Sequence, residues 1–331
     1  MSSSPAKKIN MVQAINLALD HAMEQDPSVL VLGEDVADKQ GGGVFKCTAG
    51  LSAKYGTERV KSTPIAEQAI MGAAVGAALG GMRPVAEIML MNFMTVGMDQ
   101  LVNHAAKLRF MTGGQTHVPL TVRTATGAGF GTGGQHADYL ESWFAHTAGI
   151  KVVAPSTPAD AYGLMLSCIF DDDPCVFIEN LPLYFAPGDA PVPGTRVPLG
   201  QAKVVREGTD VTVISYSRTM LEVLAVAEDL SKRGISVEVV DLRSIAPLDM
   251  DTVRASVAKT RRAVVAHEAQ VDFGVGAEVA ARLHRDLFGQ LLAPVGRVGA
   301  ARSPVPFSKA LETAYLPTPE RISAAILQTL A

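Results

Sequence analysis

Two side chains stand out by contrast with their neighbours. In STPIAEQAIMGAAVGAALGG, residues 62–81, Glu67 and Gln68 are the polar members of a run that is otherwise small or apolar after its first positions. In TGAGFGTGGQHADY, residues 126–139, His136 follows a loop built mostly of glycine. A carboxyl group in apolar surroundings has its pKa raised, because burial disfavours the charged form, and without a partner its burial is costly. An imidazole titrates near neutral pH and serves there as donor or acid. Both residue types suit proton transfer. Each also has an ordinary reading: Glu67 as a helix-start carboxylate in favourable contact with the macrodipole, and His136 as a surface or internally satisfied residue.

The elements that position them follow from the pattern. Thr63 suits an N-cap and Pro64 the first turn, so a helix is predicted from Pro64 to about Leu79. Ile70, Met71, Ala74 and Ala78 share the face of Glu67, and Ile65, Gly72, Val75, Gly76 and Leu79 lie opposite, the pattern of a helix buried all round. A capping box would use the third helical position, Ala66, so Glu67 comes one residue too late for it. Upstream of residue 181, strands SVLVLGED, RPVAEIML, PLTVRT, KVVAP and CVFIE alternate with helices near Thr95–Phe110, Tyr139–Ala148 and Pro158–Ile169. LPLYFAPGDAPVPGTRVPLG, residues 181–200, has five prolines and three glycines and reads as a linker. Beyond it the rhythm restarts with DVTVISY, LEVLAVAEDLSKRG, ISVEVVDL, a helix after Leu248, RAVVAHEA, a helix from about Gly276, and LAPVGRVG. The fold class is α/β, two domains, each a mostly parallel sheet flanked by helices. Ligands of such sheets sit beyond the carboxyl ends of the strands. The informative loops there are GEDV, the glycines 41–43, STPIAEQ, MNFM and TGAGFGTGGQHADY. The last could cradle a phosphate, but it has no GKS or GKT and no acidic residue about twenty positions on that completes a dinucleotide fingerprint.

Composition narrows the classes. The chain has 331 residues, 48% of them hydrophobic, enough for two domains with real cores. A net charge of -4 advertises no nucleic-acid surface. Cys47, Cys168 and Cys175 are odd in number and lack metal-ligand spacing, as expected of reduced thiols in a cytoplasmic protein. The start MSSSPAKKIN has no signal-peptide core, and no apolar run approaches membrane-span length.

Taken in order, GEDV, GGVFKCTAGL, STPIAEQ, GAAVGAALGGMRPVAEI, MDQLVNHAAK, GQH and WFAHTAGIKVVAPSTPADA, with DLRSIAPLD, VVAHEA and PVPFS further on, resemble the β subunit of the E1 component of 2-oxoacid dehydrogenase complexes, the pyruvate, branched-chain 2-oxoacid and acetoin dehydrogenase family. The resemblance implies a flexible tail over residues 1–8, a transketolase-type pyrimidine-binding domain over 9–180, a linker over 181–200 and a transketolase C-terminal domain over 201–331. It implies thiamine diphosphate with magnesium, an E1 α subunit in an α2β2 heterotetramer, and acyl transfer to a lipoyl-bearing E2. Glu67 takes the place of the glutamate that hydrogen-bonds N1′ of the cofactor's aminopyrimidine and promotes the imino form whose nitrogen removes the thiazolium C2 proton. Phe93 matches the aromatic packed on that ring, and Met89 lies within its reach on the strand before; Glu87 is equally a structural or subunit contact. His136 matches the histidine facing the substrate, although many relatives continue with Ser-Gln where this chain has Ala137, Asp138 and Tyr139. His146 is expected to close a helix and His267 to lie at a subunit interface or near a neighbour's site. Some relatives bind potassium through backbone carbonyls, and Leu120, Cys168, Ile169, Asp171 and Asp173 fall at those positions. No GDG and no Asn-Asn occurs, so the diphosphate and its magnesium are expected on the α subunit, with exposed small helical positions covered by partners. GGVFKCTAGL and LSCIFDDDPC lean towards branched-chain relatives, and the residues after His136 lean away from them. Acetoin as substrate, a noncatalytic scaffold subunit, and half of a transketolase-like enzyme are the competing readings.

Overall fold

The computed structural model describes residues 8–331, so most of the tail expected over residues 1–8 lies outside the described residues. Contacts divide the chain into two units, one of residues up to Thr126 with Trp143–Leu199, the other of Gly127–Ser142 with Gly200–Ala331.

In the first unit the strands lie in the order Lys151–Val153, Cys175–Asn180, Thr121–Thr126, Arg83–Leu90, Val29–Glu34, Val60–Thr63, and each neighbouring pair is parallel. Their residues are buried in near-continuous runs, as parallel strands covered on both faces require. A helix at Met11–Gln25, opened by a reciprocal Asn10/Gln13 capping box, packs against the helix Pro158–Ile169. Ile15 and Leu19 are wholly buried in that contact region, each worth about 1.5–3 kcal/mol of burial.

The helix carrying Glu67 differs from expectation. It spans Glu67–Leu79 with Ala66 as N-cap, and Thr63 ends the strand Val60–Thr63, its hydroxyl donating to the Pro64 carbonyl instead of capping. Pro64 here follows a strand and does not open a helix, because its fixed φ serves either role and strand pairing with Val29–Glu34 claims Thr63. Nor is the helix buried all round: Ile70, Met71, Ala74, Val75 and Ala78 face the core, whereas Ala69, Ala73, Gly76 and Leu79 are exposed. The helix predicted near Thr95–Phe110 is broken into a 3₁₀ turn at Met91–Thr95, a π-helical stretch at Gln100–Ala105 and an α-helix at Ala106–Met111. Gly97 lies in the gap and packs so closely on Met71 that a Cβ there would come 2.6 Å from its Cγ.

In the second unit the order is Gly296–Ala300, Ala263–Gln270, Val211–Ser215, Val237–Asp241, Lys203–Arg206, parallel except for the last, antiparallel strand. Helices at Thr219–Ser231, Met250–Thr260, Val275–Asp286 and Pro319–Leu330 flank it. Gly234, at φ +78°, ends the turn after the first of these in the left-handed region. Among the described residues no helix is long and apolar enough to cross a membrane.

Candidate active site

Three neighbouring strands of the first unit deliver polar groups to one edge. Glu34 is the last residue of Val29–Glu34, Glu67 opens the helix after Val60–Thr63, and Phe93 sits in the 3₁₀ turn after Arg83–Leu90. This is the carboxyl edge, where strands end and helix N-termini begin. Glu67, as first helical residue, is half-buried and favourably placed for the helix dipole. Burial raises the pKa of Glu34, and the nearby carboxylates of Glu67, Asp35 and Glu87 raise it further. Glu34 and Glu67 therefore feel one another. Phe93 and Met89 are half-buried and packed against the main apolar core.

Behind this edge lies a buried ion network that pattern reading missed. Glu87 and Arg123 are register partners on adjacent strands, and Arg123 Nη1 donates to Glu87 Oε2 at 2.5 Å. Arg123 also donates from Nε and Nη2 to the two oxygens of Glu179 at 2.7 and 2.9 Å, while the Tyr184 hydroxyl donates to Glu179. Desolvation pushes the Glu87 carboxyl up despite Arg123. Removing one member of such a network costs about 3–5 kcal/mol, because the remaining charge is stranded. Glu87 is thus a partly buried member of this network. The clue in the sequence was a single charge in each of two otherwise apolar strands, PLTVRT and CVFIE.

An aminopyrimidine ring presents apolar faces and a polar rim. Phe93 and Met89 supply apolar surface and Glu67 a carboxyl group, so the residues of this edge fit such a ring. Among the described residues no three His, Cys, Asp or Glu side chains gather in a way that could hold a metal ion. The carbonyls considered for potassium cluster near the turn after Pro158–Ile169: Leu120 O accepts from Cys175 N–H at 2.8 Å, Cys168 O from Asp171 N–H at 3.2 Å, and Ile169 O and Asp171 O from the Arg83 guanidinium at 3.3 and 2.9 Å. Asp173 O accepts from the Cys175 thiol at 3.5 Å.

His136 belongs to the second unit. It is half-buried, and its backbone N–H donates to Gly133 O at 3.2 Å, closing a turn at the end of the glycine loop. Two carboxylates hold that loop by its backbone: Ala128 N–H donates to Glu268 Oε1 at 2.7 Å, and Gly129 N–H to Glu312 Oε1 at 2.5 Å. Just beyond, Glu141 is fully buried, receives the Tyr216 hydroxyl at 2.7 Å, and is pushed up to about 7 by desolvation. His267 stacks on the other side of the same Tyr216 ring system, centroids 6.0 Å apart at 23°. It accepts from Gly276 N–H at Nε2, which places its proton on Nδ1, facing Ala269 O at 3.1 Å. Burial lowers its pKa to about 4. His267 is therefore an internal tie between its strand and the helix Val275–Asp286, not a surface or interface group. His146 is exposed, one residue past the helix Glu141–Ala145.

Two family models match the chain and meet near residue 200, the first of them including residues 127–142 that contacts group with the second unit. The model described as transketolase, pyrimidine binding domain matches residues 7–186, and that described as transketolase, C-terminal domain matches residues 200–322. The chain is 43% identical to the acetoin:2,6-dichlorophenolindophenol oxidoreductase subunit beta of Cupriavidus necator, over 98% of each chain. It is 45% identical to the pyruvate dehydrogenase E1 component subunit beta of Staphylococcus epidermidis, over 95% of this chain and 96% of the other. A solved split-gene transketolase, an inactive β4 tetramer, superposes with a TM-score of 0.80 at 22% identity, covering 97% of this chain and 98% of that one.

Proposed function

Since the chain belongs to the transketolase-like family of E1 β subunits of pyruvate, branched-chain 2-oxoacid and acetoin dehydrogenases, we propose that it is the catalytic β subunit of a thiamine diphosphate-dependent E1 that decarboxylates a 2-oxoacid and passes the acyl group to a lipoyl-bearing E2. It works with an E1 α subunit that holds the diphosphate and magnesium. The observation that carries this reading is the single sheet edge on which Glu67, Glu34 and Phe93 stand together.

When bound, thiamine diphosphate supplies a nucleophilic carbon and an electron sink for cleavage of the bond beside a carbonyl. With the cofactor bound, Glu67 would be the group that hydrogen-bonds N1′ of the aminopyrimidine and shares a proton with it. Glu67 opens its helix, and the neighbouring Glu34 carboxyl is pushed up by burial and by the carboxylates around it. Phe93 packs on the pyrimidine face, a contact worth roughly 0.5–1.5 kcal/mol beyond burial, and Met89 adds apolar surface. His136 donates to the developing charge on the substrate side and assists transfer to the lipoyl arm. Potassium at the Cys168–Asp173 turn belongs to the same proposal, carbonyl oxygens having a second lone pair, and a higher melting temperature in KCl than in NaCl would support it.

Acetoin as donor is the second reading. It is favoured by the Cupriavidus relative, matched over 98% of both chains, while Ala137-Asp138-Tyr139 after His136 leans away from the branched-chain relatives. The test is a panel of pyruvate, branched-chain 2-oxoacids and acetoin given to the co-expressed α and β chains with an artificial electron acceptor. Turnover of none of them would overturn both readings.

A further inference from the structure

The glycine loop 127–134 has the geometry of an anion nest, and the nest is filled. Gly127, Gly129, Gly131 and Gly133 have φ of +122°, +123°, +67° and +73°. Such left-handed turns bring successive backbone N–H groups round to one side. Gly129 N–H points at Glu312 Oε1 at 2.5 Å, and Gly131 N–H at Oε1 and Oε2 at 3.2 and 3.3 Å. The Glu312 residue is only 3% exposed. The loop is also pressed by the segment that leads into the helix Lys309–Tyr315, which carries Glu312: a Cβ on Gly133 would lie 2.4 Å from the Phe307 ring, and one on Gly134 would lie 3.2 Å from Pro304. Resting on the reading of His136 as a group that meets the substrate, we propose that Glu312 is a positioning residue, a built-in anion that fixes the glycine loop and through it the imidazole of His136.

The physical need is clear. A loop with this many glycines loses more backbone entropy on ordering than any other sequence would. Charge-assisted hydrogen bonds from N–H groups to a carboxylate are about twice as strong as neutral ones. Two such anchors at Gly129 and Gly131, with Ala128 held by Glu268, leave the turn from Gly133 to His136 as the next link, closed by His136 N–H to Gly133 O at 3.2 Å. The same filling explains why the loop resembles a phosphate cradle without the residues that complete one: the anion it holds is its own.

The experiment uses the α and β chains assembled with thiamine diphosphate and magnesium. Glu312→Ala and Glu312→Gln are compared with wild type in three ways: hydrogen–deuterium exchange of the peptide spanning 127–136 read by mass spectrometry, exchange of the thiazolium C2 proton, and acyl transfer to a lipoyl domain from pyruvate or acetoin, whichever the wild type turns over. For Glu312→Ala we expect loop amides to exchange about tenfold faster or more, acyl transfer to fall about a hundredfold, and C2 exchange to change no more than about twofold. Acetate added at high concentration should enter the vacated nest and restore both loop protection and transfer. Glu312→Gln, which keeps the size and one acceptor, should fall between. Unchanged loop exchange in Glu312→Ala, or equal losses in C2 exchange and transfer without recovery in acetate, would overturn the proposal. His136→Ala, run beside them, separates the two ideas: if it transfers acyl groups at the wild-type rate, the role given to His136 fails, while loop exchange still reports on Glu312.

Discussion

Glu67 and the pair around Tyr216 carry the expectations at residue scale. Glu67→Gln should preserve the fold and lower the exchange rate of the thiazolium C2 proton by about a hundred- to ten-thousand-fold, since an amide cannot exchange a proton with N1′. A wild-type exchange rate in that variant would remove Glu67 from the chemistry. His267 and Glu141 set opposite pH dependences. Unfolded, an imidazole takes up a proton below about 6.5; folded, His267 refuses it down to about 4, so acidification through that window favours the unfolded chain. Glu141 keeps its proton up to about 7 when folded but loses it above about 4.5 when unfolded, so raising the pH through that window favours the unfolded chain. Each shift is worth up to about 3 kcal/mol, and between pH 4.5 and 6.5 they nearly cancel. Urea denaturation from pH 4 to 7.5 should therefore give stability that rises with pH in Glu141→Gln and falls with pH in His267→Gln. Equal slopes in the two variants would contradict the burial described. Glu67 and His136 stand out as chemically odd residues in their stretches, and Phe93 is found through the family resemblance alone. Arg123 and Glu179 are lone charges in their strands but have meaning only as a pair 56 residues apart, and Glu312 carries no local signal because its partner lies 183 residues away.

At the scale of elements, long periodic segments were legible and boundaries were not. The helix expected near Pro158–Ile169 spans those residues, with Thr157 capping it and Pro158 opening it. The same Thr-Pro logic misled at Thr63-Pro64, where strand pairing outweighed a local helix signal. Lys203–Arg206 escaped notice as an antiparallel edge strand of alternating half-exposed residues. The exposed face of the Glu67 helix gives a sharp expectation. Gly76 is exposed in mid-helix, and a Cβ there meets nothing within 4 Å. Gly76→Ala should then stabilise the isolated chain by about 0.5–1 kcal/mol in chemical denaturation, the ordinary gain of replacing helical glycine. If this exposed face of small residues receives a helix of the α subunit, Gly76→Leu should fold equally well yet fail to co-elute with that subunit in size-exclusion chromatography. Normal assembly of Gly76→Leu would place the partner elsewhere.

At the scale of the whole molecule, the pyrimidine end and the diphosphate end of the cofactor are expected on different polypeptides. Titration calorimetry with thiamine diphosphate and magnesium should give tight binding to the co-expressed α and β chains and none of comparable strength to this chain alone. Tight, magnesium-dependent binding by the isolated chain would overturn the two-subunit reading. Synthesis imposes its own order on this architecture. The amide of Gly129 reaches its carboxylate only across 183 residues of chain. A ribosome adding about 5–20 residues per second needs roughly ten to forty seconds to cover that distance. During that interval the first unit's sheet can form and Glu268 emerges to hold Ala128, while the amides of Gly129 and Gly131 still wait for Glu312. If His136 has the role proposed for it, the loop that carries it gains its last anchors only with the helix Lys309–Tyr315, when the chain is almost complete.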